Sequence, residues 1–163
     1  MRILNYLLLS ALLVFPLVSK AQSDQEEIKS VIARLFTGMQ RGDSAMVHSV
    51  FSKPVTMATA FRNRDQQPVL RQEGSIQSFL NAVGTPHDEV WNEEIWDLTI
   101  RIDGDLASAW CNFAFYRGKT FSHCGVNSFH LHRTAVGWKI FHLADSRRTA
   151  DCVIPAAITS KYK

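Results

Sequence analysis

The sequence of 163 residues has few cysteines and none of the glycine-rich motifs that bind phosphate groups. Its three cysteines, Cys111, Cys124 and Cys152, form no C-x-x-C pair, which excludes zinc ribbons and thioredoxin-type redox sites. Because the chain lacks a P-loop or a dinucleotide-binding glycine motif, nothing in it indicates ATP or NAD. We therefore predict no cofactor.

Clusters of positive charge are also missing. The 18 Lys and Arg residues, set against 15 Asp and Glu residues, form no basic run and no basic helical face, so we predict no nucleic-acid partner. No segment of about 20–50 residues recurs, which excludes a repeat protein. A content of 46% hydrophobic and 20% charged residues is typical of a globular domain and excludes a disordered chain.

The longest apolar run, residues 3–18, is shorter than the roughly 20 residues that a membrane-spanning helix needs. It follows the positive start Met1-Arg2 and leads into Ser19-Lys20-Ala21, with small residues at the two positions that a signal peptidase reads. We predict a signal peptide, residues 1–21, rather than a retained anchor. Residues 22–163, with a net charge of +1, would then form one exported domain, periplasmic or secreted, with no membrane contact after cleavage.

Helical patterns occupy the first half of the chain. Ser23 and Glu26 form a capping-box pattern before an apolar stripe that starts at Ile28 and stops at Gly42. Asp43 is the expected N-cap of a short second helix that ends before Pro54. A strand over residues 55–61, a turn and a short return strand precede a third helix over residues 76–83.

The second half is rich in β-branched and aromatic residues. Four long strands are predicted at residues 89–102, 106–117, 123–133 and 138–147, separated by turn-forming sequences. This order predicts an α+β fold in which the N-terminal helices pack on a strongly curved antiparallel sheet, forming a cone with an internal cavity. The tail, residues 152–163, lies beyond the last clear strand and has no assigned role.

Cysteine pairing remains open at this point. An exported protein could oxidise two of the three cysteines and leave one free or paired between chains. Cys111 lies within an apolar strand, so a small buried thiol is the expected state there.

Several segments of the second half resemble a known family. They are residues 121–129 (FSHCGVNSF), 137–140 (GWKI), 145–148 (DSRR) and 103–107 (DGDLA). Through them, and through the order of its elements, the chain resembles the nuclear transport factor 2-like superfamily, and more narrowly a bacterial exported family labelled lumazine-binding. The superfamily includes isomerase-type and cyclase-type enzymes beside non-catalytic members. The resemblance implies the fold, a small-molecule ligand in the cone and a homodimer.

The resemblance also implies a carboxylate inside the cone that acts as general acid or base, and Asp145 is the candidate. Burial could raise its pKa towards neutrality, whereas the neighbouring Arg147 and Arg148 favour a structural ion pair instead. His123 is the second catalytic candidate. Neighbouring strand residues point to opposite faces, so a Cys–His dyad of His123 with Cys124 is not expected.

Ligand-binding candidates are polar and aromatic residues of the predicted strands. They are Trp91, Asn112, Tyr116, Asn127 and Arg147. His130 and His132 share a face, and His142 could lie across from one of them, but no carboxylate of fitting spacing completes a zinc site. We therefore predict solvent-facing histidines and no metal.

Three functions remain open from the sequence. The first is a non-catalytic module that binds a flat aromatic or apolar ligand such as lumazine. The second is an isomerase, cyclase or dehydratase in which Asp145 or His123 moves a proton. The third is a dimerising interaction protein that uses the outer face of its sheet.

Overall fold

The computed structural model describes residues 20–163, so almost all of the predicted signal peptide lies outside the described residues. Three helices precede or interrupt the sheet: α1, Lys20–Arg41; α2, Ser44–Ser49; and α3, Ile76–Gly84. Asp43 is the N-cap of α2, as expected, and its side chain accepts a hydrogen bond from the Met46 amide. No helix among residues 20–163 is both long and apolar enough to cross a membrane.

Six strands form one mixed, open sheet. They are β1, Phe51–Arg62; β2, Pro68–Glu73; β3, Trp91–Asp103; β4, Leu106–Arg117; β5, Thr120–Thr134; and β6, Gly137–Arg147. Their order across the sheet is β2-β1-β6-β5-β4-β3. The predicted α+β cone and the antiparallel meander from β3 to β6 are confirmed.

The structure differs from the expected elements at three places. The β1–β6 pair is parallel, so the sheet is not wholly antiparallel. Helix α1 already includes Lys20, so Ser23 is not its N-cap. Phe51, expected in the second helix, begins β1 instead, and Pro54 lies where the β1–β6 register is irregular, because proline has no N–H to donate to a ladder.

The main core lies between the helices and the inner face of the sheet. The predicted stripe of α1 supplies Ile28, Ile32 and Leu35, each at most 1% exposed, and they pack in one cluster with Phe129 and Trp138. Complete burial of such a side chain contributes about 1.5–3 kcal/mol relative to exposure. This stripe therefore fixes α1 across the open side of the curved sheet.

The C-terminal segment, residues 148–163, covers part of the outer face of the sheet. It contains α4, Ala156–Thr159, and a 3-10 helix, Ser160–Tyr162. Tyr162 stacks on Tyr116 with ring centroids 3.7 Å apart, and its hydroxyl donates to Glu94 at 2.8 Å. A disulfide joins Cys152 to Cys124, whereas Cys111 is a buried free thiol, in agreement with the expectation for Cys111.

Strands β5 and β6 approach each other very closely at Gly125. A Cβ atom built on Gly125 would lie 1.7 Å from the carbonyl oxygen of Ser146 and 2.9 Å from the Phe113 ring. Both distances are far inside van der Waals contact, and one of the obstructing atoms is backbone. Glycine is therefore required here by space rather than by backbone angle.

We expect Gly125→Ala to destabilise the fold by about 3 kcal/mol or more, because the new methyl group must displace a strand backbone. Gly74→Ala is the matched control, since a Cβ atom at Gly74 meets nothing within 4 Å. Urea denaturation of both variants measures the difference. Equal stabilities for the two would contradict the close approach of β5 and β6.

Candidate functional site

The inner face of the sheet and helices α1 and α3 enclose a cavity of about 420 Å³. This volume falls within the range of small-molecule sites. Its apolar wall is contributed by Leu35, Phe36, Met39, Met57, Phe79, Trp91, Phe115 and Leu143. Trp91 and Phe115 meet edge to face with ring centroids 5.8 Å apart, which gives the wall a rigid aromatic surface.

Polar side chains from three strands meet within this apolar wall. Asn127 Nδ2 donates a hydrogen bond of 2.7 Å to Glu93 Oε1. Arg147 Nε donates a hydrogen bond of 2.7 Å to Asp145 Oδ2. Asn127 and Asp145 are paired across β5 and β6, so all four side chains form one polar cluster on the inner face of the sheet.

Glu93 is the most strongly perturbed acid of the cluster. Burial raises its pKa to about 7, with a smaller contribution from the negative charge of Asp145, while the hydrogen bond from Asn127 and the charge of Arg147 oppose the rise. At neutral pH the side chain is therefore present in both protonation states. A carboxyl group in this condition can accept or donate a proton.

His123 is perturbed in the opposite direction. Burial lowers its pKa to about 4, and the guanidinium groups of Arg147 and Arg117 lower it further, while Asp145 acts against them. The ring lies 5.2 Å from that of Phe115, and Nδ1 is 3.0 Å from Ser122 Oγ. His123 is thus a neutral imidazole at neutral pH, able to donate one hydrogen bond and accept another.

Asp145 forms the ion pair that the sequence left as one of two alternatives. Its side chain is only 13% exposed, and that of Arg147 is 44% exposed. The second carboxylate oxygen, Oδ1, is buried and accepts no hydrogen bond from any described residue. A buried acceptor in this state costs about 1–3 kcal/mol, so Oδ1 is a natural partner for an N–H or O–H group of a ligand.

The structure brings five of the predicted site residues together at the cavity. These are Trp91, His123, Asn127, Asp145 and Arg147. It also separates His123 from Cys124: His123 lines the cavity, whereas Cys124 forms its disulfide on the outer face. The expected absence of a dyad between these two neighbours agrees with this arrangement.

Asn112 and Tyr116 require a correction, because the structure places both on the outer face of the sheet. Asn112 donates to Asp97 Oδ2 at 3.0 Å, and Tyr116 is buried beneath Tyr162. Their side chains alternate with Phe113 and Phe115, which point inwards. Neither residue reaches the cavity.

Glu93 is the functional residue that sequence reasoning missed. It lies between Trp91 and Ile95 on alternate positions of β3, and both of these pack against the core. A single acid on an otherwise apolar strand face was the available signal, since ionisable residues are seldom buried without a role.

The outer face holds the histidines His130 and His142, whose ring centroids are 5.6 Å apart.

Comparisons with known proteins bear on the fold. No protein-family model and no curated protein matches the sequence. A nuclear transport factor 2-like protein with a cystatin-like fold from Novosphingobium aromaticivorans is 16% identical, covers 88% of this chain and 90% of its own, and has a TM-score of 0.63. The chain has the nuclear transport factor 2-like fold.

Other structures of this fold differ in their described activities. A proposed dehydratase from Streptomyces avermitilis is 16% identical over 80% of this chain and 100% of its own, with a TM-score of 0.61. The β subunit of a proposed aromatic-ring-hydroxylating dioxygenase from Novosphingobium aromaticivorans is 13% identical over 83% of this chain and 95% of its own, with a TM-score of 0.66. The predicted superfamily resemblance is confirmed at the level of fold, and the narrower lumazine-binding label stays a prediction.

The opposite pKa shifts of Glu93 and His123 predict opposite effects of pH on stability. The folded-state pKa of Glu93 is raised from 4.5 to about 7, so its contribution to the free energy of unfolding falls as pH rises through that window. The folded-state pKa of His123 is lowered from 6.5 to about 4, so its contribution rises with pH between those values. In the wild type the two trends oppose each other.

Relative to the wild type, Glu93→Gln should become progressively more stable as pH rises from about 4.5 to 7, because the falling contribution of Glu93 is removed. His123→Gln should become progressively less stable than the wild type as pH rises from about 4 to 6.5. Urea denaturation at a series of pH values measures these differences. The double variant is the control and should lose both trends. If Glu93→Gln runs parallel to the wild type, the pKa of Glu93 is not raised.

Proposed function

We propose that this chain is an exported domain, periplasmic or secreted, that binds a small and mostly apolar or aromatic molecule within its cone. The observation that carries the proposal is a 420 Å³ cavity with aromatic walls and a polar cluster at its inner end. Export is supported by the signal-peptide pattern of residues 1–21. It is also supported by the Cys124–Cys152 disulfide, since such bonds persist in oxidising compartments.

A flat heteroaromatic molecule such as lumazine fits the chemistry of the cavity wall. Trp91 stacks on His87 with ring centroids 4.0 Å apart and meets Phe115 edge to face, so its indole is held in one orientation. The N–H groups of such a ring would donate to Asp145 Oδ1 and to Glu93. Apolar contact thus supplies affinity, while the two carboxyl groups select hydrogen-bond donors.

Ligand titration by tryptophan fluorescence or calorimetry tests this proposal, with lumazine and other flat heteroaromatic compounds as probes. We expect Trp91→Ala to weaken binding by about three- to tenfold, because it removes an aromatic wall. Trp110→Ala is the matched control: Trp110 is 56% exposed on the outer face of the sheet, so its removal leaves the cavity wall intact whatever it does to contacts on that face. Equal losses for both variants, or no binding by the wild type, would reject a ligand site in the cone.

Acid–base catalysis is a second candidate function, favoured by the position of Glu93 inside the cavity. The site holds a carboxyl group that titrates near neutral pH, a neutral histidine and an arginine on one inner face. In the base form Glu93 would remove a proton from a carbon next to a carbonyl group. His123 or Arg147 would donate a hydrogen bond to the resulting enolate oxygen.

Hydrogen–deuterium exchange in a bicyclic ketone such as 2-tetralone, followed by NMR in D₂O, tests this second function. We expect exchange faster than in buffer alone and increasing with pH through about 7, as Glu93 ionises. Glu93→Gln should abolish the enhancement, while Trp110→Ala should retain it. A wild-type rate equal to that of buffer would leave ligand binding without proton transfer.

We also propose a homodimer, on the basis of the family resemblance. The outer face of the sheet exposes Leu106 and Trp110, at 53% and 56%, and these side chains suit contact with a second copy. A protein that acts only through this face would have no use for a polar cluster in its cavity. The cavity therefore favours ligand binding over a pure interaction role.

A further inference from the structure

The charged groups that line the cavity have partners, with one exception. The partnered pairs are Glu73 with Arg71, Asp145 with Arg147 and Glu93 with Asn127. Arg117 also lines the cavity, but its guanidinium group makes no hydrogen bond or ion pair with any residue in the described part of the chain. Its guanidinium group acts on the cavity only through its charge, which His123 experiences.

Arg117 lies at the outer end of the cavity, away from the buried part of the polar cluster. It is the last residue of β4 and is exposed, and its Cα partner on β3 is Trp91. On the same strand, Phe115 lies two residues further inwards. Asn127, at the inner end, is 4% exposed. A ligand packed against Trp91 and Phe115 would therefore have Arg117 at one end and the polar cluster at the other.

An acidic residue close to this end of β4, Glu89, does not neutralise Arg117. Glu89 lies against the neighbouring Gly118, where a Cβ atom would be 3.3 Å from its Oε1, but it forms no ion pair with Arg117. Arg147, the other cavity arginine, already donates to Asp145. Arg117 is thus the cavity guanidinium whose positive charge no carboxylate among residues 20–163 neutralises.

We propose that Arg117 determines ligand specificity by binding a carboxylate group that the ligand carries. This inference rests on the proposed ligand-binding function and deepens it. A guanidinium presents paired N–H donors that match the two oxygens of a carboxylate. The side chains of Trp91 and Phe115, which line the same cavity, supply the apolar surface on which the ring of such a ligand would pack. The ligand class is therefore an aromatic carboxylic acid with an O–H or N–H donor at its far end.

Two isosteric probes, 6-hydroxy-2-naphthoate and 6-hydroxy-2-naphthamide, separate the carboxylate from the rest of the ligand. Both carry the same bicyclic body and the same hydroxyl group, which can donate to Asp145 Oδ1. Fluorescence titration gives the ratio of their affinities. We expect the acid to bind the wild type about tenfold more tightly than the amide, and this preference should shrink at high salt because Arg117 is exposed.

Variants then locate the source of the preference. Arg117→Gln should bind acid and amide equally, with its amide affinity unchanged, which also shows that the cavity is intact. Arg117→Lys should retain part of the preference, because it keeps the charge but loses the paired donors. Arg101→Gln is the matched control, since Arg101 is exposed on the outer face, and it should keep the full preference.

The outcomes distinguish this inference from the proposed function. If the amide binds the wild type as tightly as the acid, or if Arg117→Gln keeps the preference, the role of Arg117 is overturned while ligand binding stands. If neither probe binds the wild type, both the inference and the proposed function are rejected for this class of ligand. A preference that disappears equally in Arg101→Gln would show general surface charge and would also overturn the role of Arg117.

Discussion

The candidate site depends on the close approach of two strands at Gly125. There the backbone of β6 occupies the space that a side chain on β5 would need. His123 and Asn127 flank this point on β5, and Asp145 and Arg147 flank it on β6. Because strand residues two apart share a face, all four side chains project into the cavity. The β5 and β6 members of the polar cluster, Asn127, Asp145 and Arg147, thus lie beside this close approach.

Strands β3 and β5 contribute side chains to the cavity on their inner face and to contacts with the C-terminal segment on their outer face. Glu93 enters the cavity, while the adjacent Glu94 accepts hydrogen bonds from Lys161 and Tyr162 of the C-terminal segment. In β5, His123 enters the cavity, and the neighbouring Cys124 is bonded to Cys152. The main-chain groups of Cys124 and Arg148 also exchange hydrogen bonds of 2.9 and 3.0 Å. Contacts on the outer face therefore hold the backbone positions from which the cavity side chains project.

The sequence predicted the elements well because their patterns are local. The apolar stripe of α1 and the turns between the long strands are readable without knowing the fold, and alternation correctly put His123 and Cys124 on opposite faces. Asn112 and Tyr116 were misplaced because β4 is apolar on both faces: Phe115 meets the cavity, while Tyr116 lies under the C-terminal segment. That segment is held by a disulfide and a ring stack between residues far apart in sequence, which no local pattern reveals.

Electrostatic balance explains why Glu93 could not be identified from its neighbours in sequence. Its pKa depends on burial, on Asp145 and Arg147 of β6 and on Asn127 of β5, and all three partners are far away along the chain. One arginine in this cluster neutralises one carboxylate, since Arg147 pairs with Asp145. The second acid, Glu93, then has only an amide donor to stabilise its charged form, so burial raises its pKa to about 7. A ligand that donates hydrogen bonds to Glu93 and Asp145 would supply the donors that these two carboxyl groups lack.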